Sequence, residues 1–249
     1  MALPFISEWL KIRRMGELKH RIVGRQGKIV AIDGPAGAGK STTAKLVAQS
    51  LGYRYLDTGA MYRVLTYFAH KNGIRPSDGA KLAQAAQQMQ IEFENRGGVD
   101  RVLVDGTDVT TEIRTPEVTR HVSEVSAHKE VRRIMVEKQR ELGKSGSIVA
   151  EGRDITTVVF PDADVKVYLD ASVSERAKRR LGDVTTMGIQ STHQEQEADI
   201  RRRDEYDSTR THSPLTKAKG AVVVDTTHLT IEQQVDRIVA LVRSVADHA

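Results

Sequence analysis

The chain has 249 residues, of which 39% are hydrophobic and 29% charged, and this balance predicts a soluble globular protein with a large core. The absence of cysteine excludes a disulfide scaffold, a cysteine nucleophile and a thiolate metal site, and it agrees with a reducing cytoplasm. The net charge of +5 does not favour nucleic-acid binding, because residues 1–28 carry seven basic and two acidic side chains and leave the rest neutral.

Residues 1–26 precede the first predicted element, and we expect them to form a loosely ordered extension. They contain no continuous apolar run of signal-peptide length. Apolar side chains including Phe5, Trp9 and Ile12 could line one side of a short basic helix that binds a membrane or a partner. Met15 is an alternative translation start. No stretch of the chain approaches the roughly 18 apolar residues of a membrane span.

The rest of the chain alternates short apolar runs with helical segments. In chain order the predicted elements are strand 28–33, helix 40–51, strand 53–56, helices 60–71 and 78–89, strands 91–94, 101–105 and 108–110, helices 115–126 and 128–142, strands 147–151 and 165–170, helices 172–181 and 193–207, strand 221–225 and helix 231–246.

Repeated strand–helix units predict an α/β protein with a parallel sheet and helices on both of its faces. The three short strands between residues 91 and 110 are separated by too few residues for helical crossovers. They predict an antiparallel meander around the turn at Gly97 and Gly98, inserted into the parallel sheet.

The strongest motif is a phosphate-binding loop, GPAGAGKS at 34–41, which matches G-x-x-x-x-G-K-[S/T] between a buried strand and a helix. Lys40 is expected to reach the outer phosphates of ATP, and the Ser41 hydroxyl to bind Mg²⁺. Asp33 either supports that ion through water or accepts hydrogen bonds from loop amides. The predicted ATP-binding residues are Gly34, Pro35, Ala36, Gly37, Ala38, Gly39, Lys40, Ser41 and Thr42.

The loop predicts nucleotide binding but does not indicate which reaction the nucleotide undergoes. The sequence contains neither D-x-x-G nor N-K-x-D, the patterns expected of a GTPase, and its one Asp-Glu pair, at 204–205, lies in a polar helix. These observations favour a small-molecule kinase. Such an enzyme needs arginines that bind a second phosphate and neutralise the group in transfer. The candidate arginines are Arg63, Arg153, Arg179, Arg180, Arg201, Arg202, Arg203 and Arg210.

Further motifs follow the loop in order. They are LDTGAMYR at 56–63, IRTPEV at 113–118, EGRD at 151–154, TVVFPD at 157–162 and RDEYDSTR at 203–210. Together with DGPAGAGKST at 33–42, they resemble the bacterial cytidylate kinases over nearly the whole body of the chain.

The resemblance implies a three-layer P-loop kinase fold with a five-stranded parallel sheet and Mg²⁺-dependent transfer from ATP to CMP or dCMP. It also implies a single kinase domain, 27–249, within which three parts are distinguished. These are a core of 27–63 and 147–249, a monophosphate-binding insertion at about 64–146 and a short lid at about 176–205.

Residue roles follow from the same resemblance. Thr58, Tyr62 and Arg63 match positions that hold the acceptor nucleotide, and Arg63, Arg153 and Arg210 match arginines that hold its phosphate. No protein nucleophile is expected, so the side chains align and neutralise the reacting groups. The predicted catalytic residues are Lys40, Arg153, Arg210 and, from the lid, Arg179.

The acceptor base is read by other positions. Ser123, Arg132 and Asp154 match residues at the cytosine edge, where a hydroxyl or carboxylate suits the amino donor and an arginine suits the ring acceptors. Arg203 and Asp207 match residues near the pentose. The complete predicted CMP site is Thr58, Tyr62, Arg63, Ser123, Arg132, Arg153, Asp154, Arg203, Asp207 and Arg210.

Two alternatives stay open at the level of sequence. One is a related kinase for UMP or another small acceptor, and the other is a regulatory protein that binds ATP without transfer. The expected partners are ATP, CMP and dCMP, with no nucleic acid and no membrane span. We expect a cytoplasmic monomer.

Overall fold

The computed structural model of the protein describes residues 27–96, 99–186 and 188–245. The predicted extension 1–26 and the glycine turn of the meander lie outside these ranges. The strands are β1 Ile29–Asp33, β2 Arg54–Asp57, β3 Ile91–Arg96, β4 Val99–Val104, β5 Thr107–Asp108, β6 Ile148–Gly152, β7 Val165–Asp170 and β8 Val222–Asp225. The α-helices are α1 Lys40–Leu51, α2 Thr58–Lys71, α3 Gly79–Gln88, α4 Pro116–Ala127, α5 Lys129–Gly143, α6 Val173–Thr186, α7 His193–Thr209 and α8 Ile231–Ser244.

Five strands form the central sheet, in the order β2-β6-β1-β7-β8. Every neighbouring pair in it is parallel. This confirms the predicted five-stranded parallel sheet. The order changes direction around β1, so the carboxyl ends of β1 and its neighbours open a crevice where ligands bind in folds of this kind.

The central strands are apolar along their whole length because both faces of the sheet are covered. On one face Val30 and Ile32 of β1 pack in a cluster with residues of α1 and α8. On the other face Ile29 and Ala31 belong to a second cluster that includes Val136 of α5. This arrangement is the predicted three-layer α/β architecture.

The residues between β2 and β6 form a third hydrophobic core, separate from the two that cover the central sheet. It packs side chains of α2, α3, α4 and α5 against the meander, including Leu65, Leu82, Val102 and Met135. Strands β3, β4 and β5 are antiparallel, which confirms the predicted meander. The boundaries 64–146 stay a prediction, since α2 contributes to this core from residue 60 onward.

The structure differs from the predicted elements mainly at their ends and at one turn. Helix α6 continues to Thr186 instead of ending at 181, and α2 starts at Thr58 because Asp57 caps it by accepting from the Ala60 amide. A π-helical turn at Ile155–Val159 was not predicted. No helix within the described residues is long and apolar enough to cross a membrane.

Candidate active site

The phosphate-binding loop connects β1 to α1 at the centre of the sheet, as predicted. Gly39 has a φ of 88° and ends the loop in the left-handed region, from which α1 starts at Lys40. A side chain at Gly34 would place its Cβ 2.0 Å from the carbonyl oxygen of Leu169. Glycine is therefore required there because the loop passes directly against β7.

Lys40 is buried, and its Nζ donates to the carbonyl of Pro35 at 2.8 Å. Burial and the nearby charge of Arg153 lower the pKa of Lys40 to about 7, against the opposing effect of Glu151 and Asp33. The ammonium group therefore sits in a poorly solvated site where an added anion would stabilise its charged form.

Two residues of the predicted lid hold the loop from outside. Nη1 of Arg176 in α6 donates to the carbonyl of Ala36 at 3.0 Å and to Asp204 of α7 at 2.5 Å. Asp204 in turn accepts from the Ala36 amide at 3.4 Å. Sequence reasoning missed both, because nothing local separates Arg176 from the other lid arginines.

Arg179 lies beside the phosphate-binding loop. Its guanidinium donates to the carbonyl of Thr226 at 2.7 Å and to that of Ala38 at 3.5 Å, and it pairs with Glu175 at 3.0 Å. Thr226 is fully buried and was not predicted as a site residue. The structure thus places Arg179 behind the phosphate loop, and its contact with the transferred phosphoryl group stays a prediction.

Ser41 is exposed on the first turn of α1 and donates to Glu151 Oε1 at 2.6 Å. The Tyr55 hydroxyl donates to the same oxygen at 3.2 Å. Burial and the neighbouring carboxylate of Asp57 raise the pKa of Glu151. Glu151 and Tyr55 were missed, although the position of Glu151 at the end of a buried strand beside β1 was a usable signal.

Four of the predicted arginines, from three separate parts of the chain, lie close enough to act on one another or on a shared carboxylate. Arg153 donates to Asp207 at 2.9 Å, and Arg210 lies 3.8 Å from the same carboxylate. Burial and the charge of Arg153 lower the pKa of Arg203, and burial and the charge of Arg203 lower that of Arg63. The charged forms of Arg63 and Arg203 are therefore disfavoured by burial and by a neighbouring arginine, and an added anion would stabilise both.

Two atoms of this cluster have unused hydrogen-bonding capacity. Nε of Arg203 and Nη2 of Arg210 are buried and have no hydrogen-bond partner among the described residues. Buried donors of charged groups are costly when they are unpaired. A ligand with several acceptor oxygens would satisfy them.

A second polar group lies beside the arginine cluster. Arg132 of α5 forms a buried ion pair with Asp154 and donates to the Ser126 carbonyl at 3.0 Å. The guanidinium of Arg132 lies over the Tyr62 ring, 5.3 Å from its centroid. Burial raises the pKa of Tyr62 to about 12, so its hydroxyl stays protonated and can donate.

Comparison with known proteins agrees with this geometry. The model of the family described as "Cytidylate kinase" matches residues 30–244. This chain belongs to the cytidylate kinase family. Proteins named cytidylate kinase are 48% identical to it in Geobacter sulfurreducens, over 88% of this chain and 94% of that protein, and 49% identical in Lactobacillus gasseri, over 86% and 93%. The resemblance seen in the motifs is confirmed.

A longer protein also contains a matching segment. It is named bifunctional pantoate ligase/cytidylate kinase, comes from Synechococcus elongatus, and is 49% identical to 86% of this chain. The match covers 42% of that protein. Membership of the cytidylate kinase family makes this chain a phosphotransferase that uses ATP.

The remaining predicted residues of this cytidylate kinase family member differ in their surroundings. Thr58 is buried and donates to the Glu151 carbonyl at 2.8 Å, at the start of α2. Ser123 is half-buried within α4. Asp33 is fully buried and accepts hydrogen bonds from the backbone amides of Ile155 and Thr156. These partners differ from both predicted ones, which were a water-bound metal ion and the amides of the phosphate loop.

Proposed function

We propose that the protein transfers the γ-phosphoryl group of ATP to CMP and dCMP, producing ADP and CDP or dCDP. The observation that carries this proposal is the half-buried cluster of Arg63, Arg153, Arg203 and Arg210, in which Asp207 is the described ion-pair partner of Arg153 and Arg210. A protein that only bound ATP would have no use for a second anion site near the phosphate loop.

The donor side is supplied by the loop and Lys40. ATP binds with its phosphates against the loop amides at the start of α1, where the helix dipole favours negative charge. Lys40 then exchanges its hydrogen bond to Pro35 for phosphate oxygens. Because the site is buried, its charge has a large effect on the oxygens of the group in transfer.

The acceptor side fixes the CMP phosphate in line with the γ-phosphoryl group. Arg153 is central to this step because it is near enough to Lys40 to lower the pKa of the lysine. The acceptor oxygen attacks phosphorus, the bond to the ADP oxygen breaks, and the arginines hold the equatorial oxygens. The protein forms no covalent intermediate with the phosphoryl group.

Base choice is assigned to Arg132 and Asp154. The carboxylate accepts from the exocyclic amine of cytosine, and the guanidinium donates to ring acceptors. A uracil base would present an acceptor to the carboxylate and leave buried polar groups unpaired.

Magnesium is the metal we propose for the donor site. Ser41 supplies a hydroxyl oxygen in contact with the Glu151 carboxylate, and hard oxygen donors of this kind suit Mg²⁺. When bound with ATP, the ion neutralises phosphate charge. Within the described ranges, no group of three or more acidic or histidine residues is placed to hold a metal ion. A cytoplasmic location and a monomeric state remain predictions from the sequence.

The proposal is tested by measuring ADP release with CMP, dCMP, UMP, AMP and GMP in turn, and with no acceptor. We expect release with CMP and dCMP, appearance of CDP or dCDP, and loss of turnover when EDTA removes Mg²⁺. The folded Lys40→Ala variant is the inactive control. Faster turnover of UMP would instead identify a related kinase, and ATP binding without ADP release would identify a regulatory protein.

A further inference from the structure

Asp33 is the last residue of β1 and directly precedes the phosphate loop, but its carboxylate contacts the acceptor half of the site. Oδ1 accepts from the Ile155 amide at 2.8 Å. Oδ2 accepts from the Thr156 amide at 2.7 Å and from the Thr156 hydroxyl at 2.5 Å. The side chain of Asp33 is fully buried, so these three hydrogen bonds are shielded from competition by water.

The partners of Asp33 are the first residues of the π-helical turn Ile155–Val159. The first amides of any helical turn lack partners within it, and the residue at the N-cap position ordinarily accepts from them. Asp154 occupies that position, yet its side chain makes no capping hydrogen bond. Its carboxylate is bound by Arg132 instead.

We propose that Asp33 is a positioning residue for recognition of the acceptor base. By capping the turn from the neighbouring strand, Asp33 leaves the Asp154 carboxylate free to pair with Arg132 and to face the base. The inference rests on the proposed function, since it assigns Asp33 an effect on the site that distinguishes cytosine from uracil.

The sheet explains why Asp33 can act at this distance along the chain. Asp33 of β1 is in register with Gly152, the last residue of β6, so the two strands end side by side. The chain leaving β6 passes through Arg153 and Asp154 and starts its turn within reach of the Asp33 side chain. Without Asp33, the amides of Ile155 and Thr156 lose their acceptor. Asp154, at the N-cap position, is the residue that would ordinarily replace it, and it would then give up its pair with Arg132.

Asp33→Asn is the decisive variant because it keeps the shape of the side chain but replaces one acceptor oxygen by a donor. We expect the kcat/KM ratio of CMP to UMP, measured at the same saturating ATP concentration, to fall about tenfold through a higher KM for CMP. A general weakening of the fold would not act selectively on one substrate.

Asp164→Asn is the matched control. Asp164 accepts from the Ile29 amide at 2.7 Å and so holds the opposite end of the same strand, away from the nucleotide sites. We expect this variant to lose thermal stability and to keep the wild-type ratio of CMP to UMP.

Thr156→Val is the second variant, in case Asp33→Asn does not fold. It removes only the hydroxyl bond and keeps both amide bonds, so we expect the ratio of CMP to UMP to fall about threefold. A wild-type ratio in folded Asp33→Asn would overturn the inference, and so would a wild-type ratio in Thr156→Val where Asp33→Asn is unfolded. Failure of the wild-type protein to phosphorylate CMP would overturn the proposed function instead.

Discussion

The buried ion pair between Arg132 and Asp154 is expected to support both the fold and the choice of acceptor. Both side chains are about 95% buried, so removal of either leaves its partner as an uncompensated charge. Breaking such a pair costs about 3–5 kcal/mol of stability, which corresponds to a fall in Tm of about 6–20 °C for a domain of this size. Arg132→Ala and Asp154→Ala should each show this loss in thermal or urea denaturation.

The double variant separates pairing from simple loss of contacts. Because the second substitution removes a charge that the first has already left unpaired, the double variant should be destabilised by less than the sum of the single variants. Arg133→Ala is the matched control: Arg133 is the next residue of α5 and is half-exposed, and its two ion pairs lie at the surface. We expect no measurable change in stability from it.

The same single variants should lose about 2–4 kcal/mol of transition-state stabilisation with CMP, measured as kcat/KM at a temperature where they remain folded. ATP binding should be nearly unchanged, because the pair lies on the acceptor side. Additive destabilisation in the double variant would refute a coupled buried pair. A kcat/KM for CMP within about threefold of wild type would refute the role of the pair in base recognition.

Three other predictions concern the donor site and the extension. Lys40→Ala should remove most turnover in a folded protein, because the activation barrier should rise by about 3–5 kcal/mol. Near-normal rates would contradict the loop assignment. The pKa of Lys40 is about 7, below the ordinary 10.5, so between these values the folded chain binds fewer protons than the unfolded chain. Stability from this group therefore rises with pH across that window. The phosphates of bound ATP should raise the pKa of Lys40 back towards its ordinary value. Calorimetry of ATP binding in two buffers at pH 8 should therefore detect proton uptake, and Lys40→Ala should show none. A protein starting at Gln26 should fold and phosphorylate CMP at close to the full-length rate. It retains Lys28, which caps α8 by donating to the carbonyls of Val242 and Val245. Loss of activity would mean that the extension packs on the core.

Much of this protein could be predicted from the sequence because the relevant signals are local. The loop at 34–41 carries its own glycines, lysine and serine, and the apolar run before it is long enough only for a buried strand. Helix α1 lies where it was predicted, between about Lys40 and Leu51, and in the structure Gly39 and Gly52 flank it in left-handed conformations. The local signals identify these elements, while the contacts that stabilise them come from distant strands and helices.

Other features depend on contacts between distant parts of the chain. The π-helical turn at Ile155–Val159 follows Asp154, a residue typical of the N-cap position, yet its first amide is bound by Asp33, 122 residues earlier. Arg176 resembles several other lid arginines in sequence, and only its contact with Ala36, 140 residues away, separates it from them.

The electrostatics of the site depend on tertiary structure for the same reason. A lysine, an arginine or a glutamate has an ordinary pKa in an exposed segment, and the shifts at Lys40 and Glu151 arise from burial and from charges on other strands. The sequence by itself determined which side chains were available and in which local elements they lie. Tertiary structure decided which of them are desolvated together, because solvent exclusion requires the packed sheet and helices to surround the site.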